Sequence, residues 1–411
     1  MKKIKLLLFL IFLVPLALRG QFMDDNLGQD YSRLIIPFDY ENNFIVVKVV
    51  FNNFLPLHFI FDTGAEHTIL TRKEITDAMG IRYQRQFTIL GADLKTILLA
   101  YLVQGVRLDM GDLVALNHSI LVLEEDYFDF EKFAGIDIQG IIGADITSRF
   151  IVEIDYQHQV ITLYDPKTYK KPKKDFAEIP LELEKHKPYV RADVLSRKGH
   201  LSENLRLLID TGAGLSLLLN SESQDSLDLP ENLIRTEIGT GLGGYLEGYF
   251  GRIDEIQLGK YKLQGVLTNF QDRTPEMNKY YQTNRDGIIG NELLSRFHMT
   301  IDYVNSRLYL EPNRKFDEKF KFDRSGLVMA AGGRTGNRVF YITYVIPGSP
   351  ADEAGLEKGD VIKSVNRFPS TIFELSDLYK VFRKKVGKKI RLAVEREDEK
   401  LVYNFRLREL I

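Results

Sequence analysis

Apolar residues along this chain fall mainly in short runs that are rich in branched and aromatic side chains. Asn, Gly or Pro bounds most of these runs, which is typical of β-strands. Only brief helices are expected before residue 312, at about 72–79, 144–149 and 291–296. The pattern predicts a mainly β protein, with these strands among others: Phe44–Phe51, Leu55–Phe61, Val160–Tyr164, Leu205–Ile209 and Arg307–Leu310.

The β-rich part of the chain contains an internal repeat. An apolar run followed by Asp-Thr-Gly-Ala occurs twice, and Asp210 follows Asp62 by 148 residues. A Gly-Ile-Ile-Gly segment also occurs twice, and Gly287 follows Gly140 by 147 residues. The constant spacing predicts two duplicated lobes at about residues 31–166 and 176–312, joined by a solvated, lysine-rich linker.

The remaining segment, residues 325–411, has a different pattern. Predicted strands at Val339–Ile346 and Lys389–Glu395 flank a helical stretch at Phe373–Lys384. This arrangement predicts a small mixed α/β module that is large enough to fold alone.

The first 20 residues have the layout of a secretory signal peptide. Three lysines precede the apolar run Leu6–Leu18, and small or polar residues follow it. We expect export to the periplasm or to the outside of the cell. The alternative is an uncleaved segment that tethers the chain to the membrane, although the run is shorter than the roughly 20 residues of a bilayer span.

Composition excludes several kinds of chemistry. A formal net charge of −2 gives no electrostatic footprint for nucleic acid or for an anionic membrane. The absence of cysteine rules out disulfides, thiolate metal sites and a cysteine nucleophile. The histidines do not stand at metal-ligand spacing, so neither a metal nor a cofactor is predicted.

The two Asp-Thr-Gly copies are the candidate site. Lobes related by a two-fold axis bring equivalent residues together only at that axis, so Asp62 and Asp210 are expected to face each other. Two close carboxylates share one proton, and such a pair can activate water and polarise a carbonyl group. We expect Thr63 and Thr211 to bond across the axis, and Gly64 and Gly212 to admit backbone N–H groups to the carboxylates.

The segment Phe61-Asp-Thr-Gly-Ala-Glu-His-Thr68 resembles the active-site segment of retroviral proteases. Two such lobes in one chain resemble the bilobal arrangement of pepsin. The resemblance covers about residues 31–312 and implies two acid-protease-like β-barrel lobes. Ala65 and Ala213 stand where many pepsin-like enzymes have Ser or Thr. Loss of that donor should raise the pKa of the pair and move activity toward neutral pH.

The same resemblance implies β-hairpin flaps over a cleft. In lobe two the glycine-dense stretch Ile238–Tyr245 is similar to a retropepsin flap, and in lobe one the equivalent stretch is Ile89–Lys95. Glu66 stands where retropepsins usually have an Asp that holds the substrate backbone, whereas lobe two has Gly214 there. The predicted substrate-binding residues of the flaps and cleft are Glu66, Gly91, Ala92, Gly241, Gly243 and Gly244.

The stretch Ile346–Ile362 closely resembles the central part of PDZ domains, especially those of bacterial proteases. Upstream of it, a segment similar to an altered PDZ carboxylate-binding loop is formed by Ser325, Gly326, Leu327 and Val328. This implies either capture of peptide tails, which would add as a strand, or a module that only packs against lobe two.

Together these observations favour an aspartic endopeptidase whose PDZ-like module recruits peptide or protein substrates. Because both aspartates lie on one chain, a monomer should suffice. The alternative is a catalytically inactive peptide-binding scaffold on the same fold.

Overall fold

The structure is a computed structural model that describes residues 32–90, 97–171, 176–196, 199–220, 229–230, 233–241, 244–271, 285–333 and 338–411. It is mainly β, with two closed six-stranded barrels and a small module at the C-terminus. The predicted fold class is therefore confirmed. The predicted signal peptide lies outside the described residues.

The described residues of lobe one form ten strands and three short helices. The strands are β1 (Arg33–Glu41), β2 (Phe44–Phe51), β3 (Leu55–Phe61), β4 (Ile69–Leu70), β5 (Arg85–Leu90), β6 (Ile97–Met110), β7 (Leu113–Leu123), β8 (Gly140–Ile142), β9 (Ile151–Asp155) and β10 (Val160–Tyr164). The helices are α1 (Lys73–Ala78), α2 (Phe130–Phe133) and α3 (Ala144–Thr147).

Lobe two contains eleven strands and one short helix among its described residues. The strands are β11 (Ala177–Pro180), β12 (Glu182–Glu184), β13 (Lys187–Leu195), β14 (Leu201–Ile209), β15 (Leu217–Asn220), β16 (Ile234–Gly241), β17 (Gly244–Leu258), β18 (Tyr261–Gln271), β19 (Gly287–Ile289), β20 (Phe297–Asp302) and β21 (Arg307–Pro312). The helix is α4 (Asn291–Leu294).

The two barrels have the same strand order. Lobe one runs β2-β3-β8-β4-β7-β6 and closes by pairing of β2 with β6. Lobe two runs β13-β14-β19-β15-β18-β17 and closes by pairing of β13 with β17. Since the equivalent strands carry the equivalent sequence motifs, the repeat in the sequence is also a repeat of topology.

A shared sheet joins the lobes. Its order is β11-β21-β20-β9-β10-β1, and β9 pairs with β20 antiparallel, with Ile154 opposite Met299. Both residues are fully buried within one hydrophobic core that extends through both lobes. The two barrels are therefore held together by main-chain hydrogen bonds and by a continuous apolar interior.

Two tight turns are important for the site. Asn42 and Asn43 join β1 to β2 with φ of 48° and 65°, and Lys185 and His186 join β12 to β13 with φ of 51° and 62°. Two consecutive residues with positive φ match the right-handed twist of the strands in a hairpin. Asn tolerates this conformation well, whereas Lys and His do so less readily.

The C-terminal module (Leu327–Arg406) has its own sheet and its own core. Its strands are β22 (Leu327–Gly332), β23 (Val339–Val345), β24 (Val361–Val365), β25 (Phe368–Pro369), β26 (Lys389–Arg396) and β27 (Glu399–Arg406), and its helices are α5 (Pro350–Glu353) and α6 (Leu375–Phe382), with a 3₁₀ turn at Ser370–Ile372. The sheet order β22-β23-β24-β26-β27 leaves β22 at one edge.

Candidate active site

Asp62 and Asp210 directly follow β3 and β14, at equivalent places in the two barrels. Each of these strands runs parallel to the short Gly-Ile-Ile strand of its lobe, β8 or β19. The N–H of Asp62 donates to the carbonyl of Ile142 at 3.0 Å, and the N–H of Asp210 donates to that of Ile289 at 3.0 Å. The repeated Gly-Ile-Ile segments therefore hold both Asp loops in equivalent positions.

The glycines of those segments are needed for close packing. A Cβ on Gly140 would lie 2.5 Å from the ring of Phe59, and a Cβ on Gly287 would lie 2.1 Å from the carbonyl oxygen of Leu218. Real side chains do not approach so closely. Any larger residue would push the short strand away from the loop that it holds.

Thr63 and Thr211 link the two Asp loops across the interface. The hydroxyl of Thr63 donates to the carbonyl of Ile209 at 2.7 Å, and that of Thr211 donates to the carbonyl of Phe61 at 2.7 Å. Each hydroxyl also accepts the backbone N–H of the other threonine, at 3.1 Å in both cases. Since both side chains are almost completely buried, these four bonds fix the separation of the loops.

The two carboxyl groups lie side by side where the lobes meet. Oδ1 of Asp62 accepts the N–H groups of Gly64 at 2.7 Å and Ala65 at 3.1 Å, and Oδ1 of Asp210 accepts the N–H of Gly212 at 2.9 Å. The two carboxyl groups are near enough to influence each other's ionisation. Both residues stay partly exposed, so a ligand on the cleft floor can reach them.

Glycine is also required beside each carboxyl group. A Cβ on Gly64 would lie 2.7 Å from Cγ of Asp210, and a Cβ on Gly212 would lie 2.3 Å from Cγ of Asp62. Each lobe therefore leaves room for the aspartate of the other lobe. Ala65 and Ala213 follow these glycines and bring no side-chain donor of their own.

The surroundings of the two aspartates are unequal. Burial raises the pKa of Asp62 well above its ordinary value, and the nearby charge of Asp210 raises it further. Burial also raises the pKa of Asp210, but the guanidinium of Arg285 and the hydrogen bond from Asp62 oppose this. The two carboxyl groups therefore titrate as a coupled pair, and the positive charge of Arg285 acts on the Asp210 side of it.

Sequence reasoning missed Arg285. It stands two residues before Gly287, and the equivalent residue of lobe one is Ile138, which is buried among apolar side chains. A charged residue opposite an apolar one in otherwise aligned repeats is a signal that could have identified it. The asymmetry of the pair follows in part from this one difference between the lobes.

Each lobe also reaches the Asp loop of the other lobe with a hairpin turn. The side-chain amide of Asn43 donates to the carbonyl of Gly214 at 2.8 Å. In the opposite direction, the ammonium group of Lys185 lies 4.0 Å from the carboxylate of Glu66. At equivalent positions, the loop of lobe one thus carries the carboxylate of Glu66, and the loop of lobe two carries Gly214, which has no side chain.

Hairpins stand at both predicted flap positions. In lobe one, β5 and β6 pair as far as Leu90 and Ile97, and in lobe two, β16 and β17 pair as far as Gly241 and Gly244. Some predicted flap residues lie outside the described residues: Gly91, Ala92 and Gly243.

The loop that was expected to bind a peptide carboxylate precedes β22. The N–H groups of Ser325 and Gly326 donate to Oδ1 of Asp323 at 2.8 and 2.7 Å. The N–H of Leu327 donates to Oγ of Ser325 at 3.1 Å, and the carbonyl of Val328 accepts the hydroxyl of Thr343 at 3.2 Å. These N–H donors of the loop therefore have partners within the chain.

Two further properties concern the described residues only. They contain no group of three or more His, Asp or Glu side chains that could hold a metal ion. None of their helices combines the length and the apolar character that a membrane span requires.

Comparison with known proteins identifies the domains. The aspartyl protease family model matches residues 47–146 and 198–293, which contain the two Asp loops. The PDZ domain model matches residues 341–396 of the C-terminal module. The chain therefore carries an aspartyl protease domain and a C-terminal PDZ domain, and both kinds of domain imply binding of peptide or protein.

Other comparisons add less. No curated protein matches the chain. Among solved structures, basic 7S globulin from soybean is similar, with 10% sequence identity and a TM-score of 0.44, over 71% of this chain and 100% of that one.

Proposed function

We propose that this protein is an aspartic endopeptidase in which Asp62 and Asp210 activate water for hydrolysis of peptide bonds. The observation that carries the proposal is the partly exposed carboxyl pair between two duplicated lobes, with each carboxyl group against the glycine of the opposite Asp loop. A scaffold that only binds peptides needs neither the pair nor the four threonine bonds that fix its separation.

We assign the roles of the two aspartates from the charge beside them: the guanidinium of Arg285 favours the ionised form of Asp210. Asp210, as the carboxylate, takes a proton from a water molecule that lies between the two side chains. Asp62, as the acid, donates its proton to the carbonyl oxygen of the substrate. The water oxygen adds to the carbonyl carbon to give a tetrahedral intermediate. As the C–N bond breaks, Asp210 gives the proton that it took from water to the leaving nitrogen, and Asp62 takes a proton back from a hydroxyl of the intermediate. No covalent bond to the enzyme forms.

Preorganisation makes this chemistry effective. The N–H groups of Gly64, Ala65 and Gly212 point at the carboxylate oxygens, and the threonine bonds keep the loops from separating. These dipoles are in place before a substrate arrives, so little reorganisation is needed during the reaction. The hairpins β5–β6 and β16–β17 would close over an extended peptide.

A peptide library tests the proposal. The purified chain should cleave some members, whereas Asp62→Ala and Asp210→Ala should cleave none at a detectable rate. Asp39→Ala, which changes an exposed aspartate paired with Lys48, is the matched control and should keep its activity. Cleavage that persists in both dyad variants would refute the assignment, and a wild type that cleaves nothing would favour the inactive scaffold.

The N-terminal residues lead us to infer export through a signal peptide, into the periplasm or out of the cell. Detection of the mature N-terminus near Gln21 after expression with a secretion system would support this. Recruitment of peptide tails by the PDZ domain, which the sequence predicts, is not part of this proposal, because the contacts of Asp323 favour another role.

A further inference from the structure

The edge strand β22 is where a peptide would add to the sheet of a PDZ domain. The outer backbone groups of Met329, at the middle of this strand, already have a partner. The hydroxyl of Tyr379, on α6, accepts the N–H of Met329 at 3.2 Å and donates to the carbonyl of the same residue at 3.2 Å. The neighbouring residue Ala330 is fully buried, so its face of the strand is covered.

The site for a peptide carboxylate is filled as well. A terminal carboxylate would bind to the backbone N–H groups of the loop at Ser325, Gly326 and Leu327. Asp323 accepts two of these three donors with one carboxylate oxygen, and Ser325 Oγ accepts the third. Asp323 is buried and its carboxylate replaces the carboxylate of a ligand. The loop is therefore satisfied by its own chain.

The surface that covers β22 belongs to lobe one. Helix α2 lies against β22, and Gly135, just after the helix, lies so near α6 that a Cβ there would be 3.0 Å from Cβ of Leu375. The charge of Asp129 acts on Tyr341 of β23. The side chain of Asn42 donates to the carbonyl of Ala134, so the turn between β1 and β2 holds the end of this segment.

The opposite side of the module contacts lobe two. The ring of Phe322 lies 5.5 Å from that of Phe250, on strand β17 of the predicted flap. The guanidinium of Arg252, also on β17, donates to the carbonyl of Ile411 at 3.4 Å and lies 3.7 Å from the carboxylate of Glu409. Ile411 is buried in the core shared by the lobes. The module thus touches both halves of the protease domain.

We propose that the PDZ module is a clamp within this chain, and that its partner is the chain itself. Residues 129–135 of lobe one cover the edge of β22, Asp323 fills the carboxylate site, and the C-terminal residues hold the base of the β16–β17 hairpin. The module joins the lobes across the cleft instead of receiving free peptide tails. This inference does not depend on peptidase activity.

Hydrogen exchange of the full chain tests the clamp. Asn tolerates positive φ, so Gly135→Asn should leave the backbone of the turn intact while its side chain is forced against Leu375. Amides of β22 should then exchange at least about fivefold faster than in the wild type, because local opening becomes easier. The matched control is Gly105→Asn, whose glycine also has positive φ (77°) but has no atom within 4 Å of its Cβ position.

The control should leave exchange of β22 unchanged. Exchange of β22 that is equally fast in the wild type and in Gly135→Asn would overturn the proposal. So would a control variant with the same effect as Gly135→Asn.

Peptide binding provides a second measurement that needs no variant. A pool of labelled hexapeptides with free C-terminal carboxylates is compared with the same pool as C-terminal amides, by fluorescence anisotropy with the full wild-type chain. We expect no preference between the pools. A preference of tenfold or more for free carboxylates, about 1.4 kcal/mol, would show an open carboxylate site and overturn the proposal.

Discussion

At the scale of single residues, the site depends on two threonines as much as on two aspartates. The hydroxyls of Thr63 and Thr211 make four hydrogen bonds that cross between the loops. Each hydroxyl is both a donor and an acceptor, so its loss leaves a backbone carbonyl and a backbone N–H without partners in a buried place.

Replacing either threonine with valine should therefore be costly. We expect Thr63→Val or Thr211→Val to lower the free energy of unfolding by about 2–4 kcal/mol, because two buried backbone groups lose their partners. A guanidinium chloride titration followed by far-UV circular dichroism measures this. Thr268→Val is the control: Thr268 is equally buried, but its hydroxyl makes one bond, to Val266 in its own strand. A loss no greater than in the control would contradict the account of the threonine bonds.

The dependence of activity on pH follows from the same residues. The proposed mechanism requires Asp62 protonated and Asp210 ionised, and the pKa of each is raised above the ordinary value. Activity should rise as Asp210 loses its proton and fall as Asp62 loses its own. Both limbs therefore lie above the ordinary aspartate pKa of about 3.9. A profile of kcat/KM that peaks near pH ~3 would contradict this.

Arg285 provides a check on the acid limb. Its guanidinium lowers the pKa of Asp210, so Arg285→Gln should move the acid limb to higher pH, and Arg285→Lys should restore it. An acid limb that stays in place in Arg285→Gln would show that another group sets the ionisation of Asp210.

At the scale of elements, the short strands β8 and β19 and the loops beside them leave no free space. Gly64 and Gly212 each lie against the carboxyl group of the opposite lobe. Each Asp loop can pack in this way only when the other lobe is in place, because each glycine makes room for a residue more than a hundred positions away in sequence.

Gly212→Ala should therefore displace Asp62. We expect kcat/KM to fall about 10²-fold, since an error of about 1 Å in the position of a catalytic group has that effect. Overpacking should also lower the free energy of unfolding by about 1–3 kcal/mol. Gly214→Ala, in the same loop, meets only the ring of Phe44 and a carbonyl at 3.1–3.2 Å and should lose less stability. Equal losses in the two variants would contradict the steric explanation.

The bounds of several strands could be predicted from the sequence. The strands Phe44–Phe51, Leu55–Phe61 and Val160–Tyr164 have the bounds that the pattern of branched residues indicates, and Asn-Asn turns precede the first two of them. The long hairpin β6–β7 was not predicted, although Gly111 and Asp112 mark its turn between two apolar runs. Its register shifts twice, which obscures the alternation of apolar and polar residues.

The residues of the candidate site also divide into some that the sequence identified and others that only the structure identified. Asp62 and Asp210 could be found because the repeat made each copy evidence for the other. Arg285 belongs to no motif, and its signal in the sequence is its difference from Ile138 at the equivalent position of lobe one. Asp323 stands two residues before Ser325, and only the folded loop shows that its carboxylate points back at the N–H donors.

At the scale of the whole molecule, one chain supplies both halves of the site. The sheet that joins the lobes places Ile154 beside Met299, and the core runs through both barrels. The C-terminal module then contacts each lobe separately. The pair of aspartates is therefore complete without a second copy of the chain.

Activity should accordingly be independent of protein concentration. Specific activity on a cleaved peptide is expected to stay constant from about 1 nM to about 1 μM enzyme, because no association equilibrium precedes catalysis. Sedimentation velocity over the accessible part of the same range gives the molecular mass. A fall in specific activity on dilution would show that a second chain contributes to the site.

The most direct test of the central claim is a double-mutant cycle on the two aspartates. Residues that act as one catalytic unit are strongly non-additive. We predict that Asp62→Asn and Asp210→Asn each lower kcat/KM on one peptide by about 10³-fold or more. The double variant should have a kcat/KM no lower than that of the less active single variant. Effects that multiply in the double variant, or a single variant within about tenfold of the wild type, would contradict a shared-proton pair formed by Asp62 and Asp210.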